Sequence, residues 1–186
     1  MIENLGKIHS PGDFIELLKK TGQYPPQVLS GIPENKALKI PQGTTVLAFH
    51  YKDGVIVAGD RRATAGNAIM YDRCDKVIPI DDYSLMAIAG VPATAFEMAR
   101  ILSHNFEYYR RSQLRVMSME GKVRALSKLL KDNTAMALQG VGGVSPLFAI
   151  YDKEHRKAFL YFYDMLGAEF QIQTHVATGS GSPMIK

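Results

Sequence analysis

From Thr44 onward, the apolar and polar positions first follow a strand rhythm. Thr45-Val46-Leu47-Ala48-Phe49-His50-Tyr51 is rich in β-branched and aromatic residues. Lys52-Asp53-Gly54 supplies an Asp-Gly turn, and Val55-Ile56-Val57-Ala58 returns, which predicts a β-hairpin. A second short hairpin is expected around 67–80, and 84–89 forms another short apolar strand closed by Gly90. The period then changes. Ala95, Ala99, Leu102, Phe106 and Tyr109 recur at steps of 4, 3, 4 and 3, one face of a helix. Met119, Val123, Leu126, Leu130, Thr134 and Ala137 repeat the pattern, with Ser118 as N-cap. Gly140, Gly142 and Gly143 interrupt the chain, and three more strands are expected at 144–151, 158–164 and 169–178.

Residues 1–43 read differently. A short amphipathic helix through Phe14, Leu17 and Leu18 is expected to open at Pro11-Gly12-Asp13. Pro25, Pro26, Gly31, Pro33 and Pro41 then follow, too many breakers for a packed domain. This stretch reads as a tail, a linker or a removable leader.

Strand blocks joined by hairpins give antiparallel sheets, and a helix pair between the blocks must cover a sheet face. The expected architecture is α+β, with two sheets packed on each other and helices outside. Such a sandwich also needs helices on its second face. At Pro183-Met184-Ile185-Lys186, where another helix is due, the sequence ends. The expectation is therefore an incomplete chain with one sheet face uncovered, prone to poor folding or association.

Composition narrows the class. Of 186 residues, 46% are hydrophobic and 22% charged, the balance of a globular protein. No apolar run approaches the roughly 20 residues of a membrane helix, and no secretory signal opens the chain. The single cysteine, Cys74, has no internal disulfide partner, and the five histidines show no metal-ligand spacing. These features point to an intracellular, cytoplasmic protein that needs neither metal nor cofactor. The net charge of +4 raises nucleic-acid binding as a question. The densest basic group, Arg110, Arg111 and Arg115, lies near the end of an expected helix, where cations complement the dipole and sit in water. Nothing in this distribution demands a nucleic-acid partner.

Gly43-Thr44-Thr45 lies where the breaker-rich segment meets the first strand, a junction open to cleavage. A cut after Gly43 gives Thr44 a free amine beside its own hydroxyl, and such an amine, with a reference pKa of about 7.7–8.0, can accept a proton near neutral pH. The threonine methyl restricts χ1 and so holds the oxygen in one direction. On these residues alone, Thr-Thr reads as a plain strand opener. Asp60 follows the second strand 16 residues after Thr44, and Lys76 lies 16 residues after Asp60. Taken singly, Asp60 reads as a turn carboxylate, Lys76 as a surface cation and Gly179-Ser180-Gly181 as a loop.

In order and in register, these fragments resemble the β subunit of the 20S proteasome, most closely the bacterial type of actinobacteria. The resemblance covers residues 44–183. It rests on Gly-Thr-Thr at 43–45, Gly-Asp-Arg-Arg-Ala-Thr at 59–64, Lys76, Ala-Ile-Ala-Gly at 87–90 and Ala-Thr-Gly-Ser-Gly-Ser-Pro at 177–183. It implies a four-layer αββα sandwich, the N-terminal nucleophile hydrolase fold, with the second helical layer missing from this chain. Residues 1–43 then correspond to a propeptide removed by autolysis between Gly43 and Thr44, and 44–186 to a peptidase domain incomplete at its C-terminus. A further aspartate and serine of the family's site would fall in the missing part.

The resemblance also implies roles. Thr44 matches the nucleophile of a threonine endopeptidase. Lys76 matches the ammonium that favours deprotonation of the hydroxyl and lowers the amine pKa. Asp60 matches its carboxylate partner, Arg62 a supporting basic residue, Gly90 the N–H that receives the oxyanion, and Ser180 a serine near the amine. Ala63, Cys74, Ile78, Ile88, Pro92 and Phe96 correspond to the region receiving the side chain before the scissile bond. None is charged, which favours large hydrophobic residues there. Cys74 is either a thiol contact near the site or a buried small hydrophobe. Thr64 would align the substrate backbone as an added strand.

The implied partners are a homo-heptameric β ring, proteasome α subunits, an ATPase unfoldase ring and unfolded polypeptide substrates. Nucleic acid and membrane are not among them. Two alternatives stand beside this reading. The related two-ring ATP-dependent bacterial peptidase also starts its mature chain with Thr-Thr, but its leader is very short and it usually lacks an arginine at the place of Arg62. An inactive structural ring subunit shares the fold, but has no need of Thr44, Asp60 and Lys76 together.

Overall fold

In the computed structural model, residues 14–23, 43–65 and 68–185 are described. Pro11-Gly12-Asp13, the breakers of 24–42 and the start of the second hairpin at Asn67 lie outside them. The described chain runs α1 (Phe14–Lys20), β1 (Thr45–Tyr51), β2 (Gly54–Gly59), β3 (Ala63–Ala65), β4 (Ala68–Tyr71), β5 (Val77–Asp81), β6 (Ser84–Ala87), α2 (Pro92–Gln113), α3 (Met119–Asp132), α4 (Thr134–Leu138), β7 (Leu147–Asp152), β8 (Lys157–Tyr163), β9 (Glu169–Ile172) and β10 (His175–Gly179).

β1 and β2 form the expected hairpin, with Tyr51 opposite Gly54 so that Lys52 and Asp53 alone make the turn. β10 pairs antiparallel with the other edge of β1, giving a three-stranded sheet in the order β10-β1-β2. A five-stranded antiparallel sheet runs β5-β6-β7-β8-β9, and β3 and β4 make a small separate hairpin, so the two strands inside 67–80 do not pair with each other as expected: β4 pairs with β3 and β5 with β6. The strand expected over 169–178 is two strands in different sheets. The chain leaves β9 after Ile172 and re-enters as β10 at His175, with the His50 N–H bonded to the Thr174 carbonyl at 2.8 Å across the crossing. The second expected helix also ends early: the Asn133 N–H bonds back to Leu129 and Leu130, both at 3.1 Å, and its side chain donates to the Gly142 carbonyl, separating α3 from α4.

Two apolar layers hold this together. Val46 and Ala48 of β1 meet Ala87, Leu147, Ala149 and Leu160 of the larger sheet, which buries the inner faces of both sheets. The other face of the larger sheet, with Met86, Phe148, Ile150 and Tyr163, packs under Leu102, Phe106, Leu126 and Leu130 of α2 and α3. Ser118 caps α3 by accepting from the Gly121 N–H at 3.1 Å. Arg110 and Arg111 both pair with Glu107 on their own helix, and Arg115 lies exposed just beyond its end. The layers are thus helix, sheet, sheet. On the outer face of the three-stranded sheet Phe49, Tyr51 and Ile56 remain 36%, 50% and 45% exposed.

α1 is docked rather than loose. Ile15 is 2% exposed inside the main cluster, and Leu18 packs against it. The Phe14 ring lies 5.7 Å from that of Tyr108 and 6.2 Å from that of His104, both on α2. Lys19 pairs with Asp132 at the end of α3, at 2.7 Å. Of the expected Phe14, Leu17 and Leu18 positions, Phe14 and Leu18 make contacts, and Ile15, which spacing does not single out, is the fully buried one. Among the described residues, no helix is long and apolar enough to cross a membrane.

Candidate active site

β1 is hydrogen-bonded on both edges, which fixes its first residues, and Thr44 precedes it directly. The Thr44 carbonyl accepts the Ser180 N–H at 2.8 Å and the Ser180 hydroxyl at 3.3 Å. Ser180 therefore grips the carbonyl of Thr44. Next to it, Gly179 has φ +96°, and a Cβ there would fall 2.0 Å from the Thr44 oxygen. Only glycine lets the chain after β10 pass this close. The Gly181 N–H donates to Thr45 Oγ1 at 3.2 Å, so the Gly-Ser-Gly loop clasps both threonines.

Lys76 immediately precedes β5 and is 4% exposed. An ammonium has three protons to donate. Here it has three acceptors: the Arg62 carbonyl at 2.6 Å, Asp60 Oδ2 at 2.7 Å and the Gly43 carbonyl at 2.8 Å. The last is the carbonyl of the peptide bond before Thr44. Asp60 follows β2 directly. Its Oδ1 accepts the Thr45 N–H at 2.6 Å, and its Oδ2 also accepts the Arg62 N–H at 3.1 Å. Burial works to raise the Asp60 carboxyl. The hydrogen bond and charge of Lys76, with the two N–H groups, overcome it and hold the group below its ordinary value near 3.8.

Arg62 contributes through its backbone. Its guanidinium points away to Asp72, at 3.0 Å, and is 60% exposed. Gly90 lies beyond β6 with φ +121°, bridged to Val144. The bridge uses the N–H groups of Val91 and Ser145, at 2.9 and 2.8 Å, and the Gly90 N–H has no partner among the described residues. The Ile88 N–H bonded to the Lys76 carbonyl at 2.8 Å brings this segment alongside the lysine.

The apolar positions divide into two groups. Ile88 is buried in the main cluster, with Ile78 and Phe96 packed on it. Pro92 opens α2. Ala63 opens β3, and Cys74, half-buried, lies after β4 with its N–H bonded to Arg61 at 2.9 Å. Thr64 sits in β3 opposite Ile69. The contacts through the Gly43 carbonyl, the Arg62 carbonyl and the Thr45 N–H are backbone contacts, which residue types along the sequence do not announce. Among the described residues, no group of three or more His, Cys, Asp or Glu is placed to hold a metal.

Two antiparallel sheets face to face under a helix pair, with a threonine at the head of the first strand beside a buried lysine and its aspartate, define the N-terminal nucleophile hydrolase fold. Within that class, a family model described as proteasome subunit matches residues 40–186, and the chain belongs to that family. It is 41% identical over 165 residues to a proteasome subunit beta of Streptosporangium roseum, covering 87% of this chain and 58% of that protein. It is 40% identical over 150 residues to a proteasome subunit beta of Streptomyces griseus, covering 81% and 53%. A proteasome subunit beta 2 of Thermomonospora curvata is 39% identical over 180 residues, covering 93% and 62%. The chain thus spans somewhat over half the length of these relatives.

Proposed function

We propose that this chain is a threonine-type endopeptidase subunit of a proteasome core, made with a leader, 1–43, that it removes itself. The observation carrying this reading is the buried Lys76 ammonium, bonded at once to Asp60 and to the carbonyl that precedes Thr44. A cation at 2.8 Å from that oxygen draws electrons from the carbonyl carbon and stabilises the charge that builds when a nucleophile adds.

In self-cleavage, Thr44 Oγ adds to the Gly43 carbonyl carbon. An ester bond forms, the Gly43–Thr44 C–N bond breaks, and the hydroxyl proton passes to the Thr44 nitrogen. Water then splits the ester, leaving a Gly43 carboxylate and returning a proton to Oγ. In turnover, the freed amine accepts the hydroxyl proton, Oγ attacks a substrate carbonyl, and the Gly90 N–H receives the oxyanion. Lys76, kept in place by Asp60 and the Arg62 carbonyl, lowers the cost of the alkoxide. Ala63, Cys74, Ile78, Pro92 and Phe96 are uncharged and part-exposed, a surface suited to a large apolar residue before the cut, while Ile88 is buried in the core. The names of the relatives support assembly into a multi-subunit proteasome core; a heptameric β ring, α-type rings, an ATPase ring that delivers unfolded polypeptides and a cytoplasmic setting complete the proposal.

The test is the intact mass of the protein isolated from its native source. A chain beginning at Thr44 is expected, together with hydrolysis of peptides bearing an apolar residue before the cleavable bond. A chain still beginning at Met1 overturns the reading.

A further inference from the structure

We propose that Asn133 positions the oxyanion donor, acting through the backbone of Gly142 and Gly143 on the N–H of Gly90. This rests on the reading of Gly90 as the group that receives the oxyanion. Gly90 is exposed, between the buried Ala89 and the start of α2. Two hydrogen bonds flank it. The Ser145 N–H donates to the Ala89 carbonyl at 2.8 Å, and the Val91 N–H donates to the Gly143 carbonyl at 2.9 Å. The Ala89 carbonyl and the Gly90 N–H belong to one planar, trans peptide unit, so they point in opposite directions. Ser145 holds the first and thereby aims the second away from the 143–145 segment. A Cβ on Gly90, at φ +121°, would fall 2.2 Å from the Gly143 oxygen, so the two backbones lie in direct contact. The direction of the Gly90 N–H is therefore set by where 143–145 lies.

Asn133 fixes that segment. Its side-chain amide donates to the Gly142 carbonyl at 2.6 Å, across the neck of the excursion 134–141 that carries α4. Gly142 is buried, and a Cβ on it would lie 2.9 Å from Met136 Cβ and 3.3 Å from Asn133 Oδ1. Glycine thus seats the lead-in to β7 directly on the corner between α3 and α4. Within the excursion the Val141 N–H bonds to the Met136 carbonyl at 3.1 Å, a tie that stops short of 142–145. Among the described residues Asn133 has no hydrogen bond to Thr44, Asp60 or Lys76. It acts only through where it holds the chain.

The experiment uses the full chain, isolated with the subunits that assemble with it, with rates referred to titrated active sites. Asn133→Ala should lower kcat on a peptide with leucine before the cut by about tenfold or more, the scale of a misplaced catalytic group. KM should stay within about twofold. Affinity for the matching peptide aldehyde should fall by the same factor as kcat. In that adduct Thr44 Oγ bonds to the aldehyde carbon, the hydroxyl proton passes to the former carbonyl oxygen, and that oxygen takes the oxyanion position. Asn133→Asp separates positioning from helix capping. Asp caps the start of α4 as well as Asn does, but has no N–H for the Gly142 carbonyl, and should lose at least as much as Ala. Unchanged kcat and aldehyde affinity in either variant overturn the proposal. So does a loss confined to KM, or a loss of kcat with aldehyde affinity intact. An unaltered chain that neither cuts the peptide nor binds the aldehyde overturns the nucleophile reading instead, and the role of Gly90 with it.

Discussion

The Lys76 ammonium lies 2.7 Å from Asp60 Oδ2, with 3% of the lysine side chain exposed and 36% of the aspartate. The pair is therefore asymmetric. The cation has left water, while its partner keeps an edge in it. A buried cation is tolerated only when all its protons find acceptors, and two of the three here are backbone carbonyls. Lys76→Met removes the charge and leaves Asp60 and both carbonyls without it. Leader removal should slow by about a hundredfold or more, the usual effect of losing a donor to a developing oxyanion. Time-resolved intact mass checks this, and wild-type processing by the variant refutes the assignment.

Acid should loosen the fold through two aspartates. Burial acts to raise Asp81 as it does Asp60, but the Lys122 ammonium at 2.5 Å and the Ser84 hydroxyl at 2.6 Å outweigh it and hold the group low. Each folded-state value lies below the ordinary one near 3.8, so the unfolded chain takes up protons first as pH falls. The stability these groups contribute is complete above that value and is lost as pH drops through the lower folded values. Thermal melting against pH should fall along an acid limb there, and Asp81→Asn should flatten the limb.

Lys122 ties α3 to the turn between β5 and β6, 2% exposed, with its ammonium 5.3 Å from the centre of the Phe106 ring. Lys122→Met leaves Asp81 without its counter-charge. The expected loss is about 3 kcal/mol, at the lower end for a broken buried pair because Asp81 keeps some contact with water. Denaturant unfolding measures it, and a loss under about 1 kcal/mol contradicts the account.

Gly179 has no room for a side chain. Gly179→Ala forces a Cβ onto the Thr44 carbonyl and a non-glycine residue into φ +96°. The β1–β10 pairing should weaken at its Thr45 end, with a cost above about 1 kcal/mol. Faster hydrogen exchange at the Ser180 amide is the readout.

Seating of α1 depends on Ile15. Ile15→Asp places a carboxylate in the main cluster and should release the helix. Exchange protection across 14–20 should vanish while the β7 and β8 amides stay protected. Unchanged protection of α1 would show that the Lys19–Asp132 pair and the Phe14 ring contacts suffice.

Much of this was legible along the chain, and the exceptions share a cause. The β1–β2 hairpin follows from alternation and an Asp-Gly turn, and the helix faces from their 3.6-residue period, because both signals are local. The break between β9 and β10 is not, since Gln173-Thr174 carries no glycine or proline and only pairing with β1 decides it. Thr44, Asp60 and Lys76 stood out by type and register. That Arg62 serves through its carbonyl, and that Ser180 reaches the Thr44 carbonyl, depend on where the backbone turns. Ile15 is buried beside the expected Phe14 and Leu18 because α1 docks on other helices, which its own periodicity does not reveal.

The seat of α1 changes what a cut after Gly43 would mean. The severed bond would lie 23 residues beyond Lys20, and the contacts that hold α1 on α2 and α3 would be untouched by it. Before the cut, helix and socket share one chain, and their association is independent of dilution. Afterwards the same contacts join two molecules, and the high effective concentration supplied by the tether is gone. Departure of the leader then becomes a dissociation equilibrium in its own right, sensitive to protein concentration and separable in time from the chemistry at Thr44.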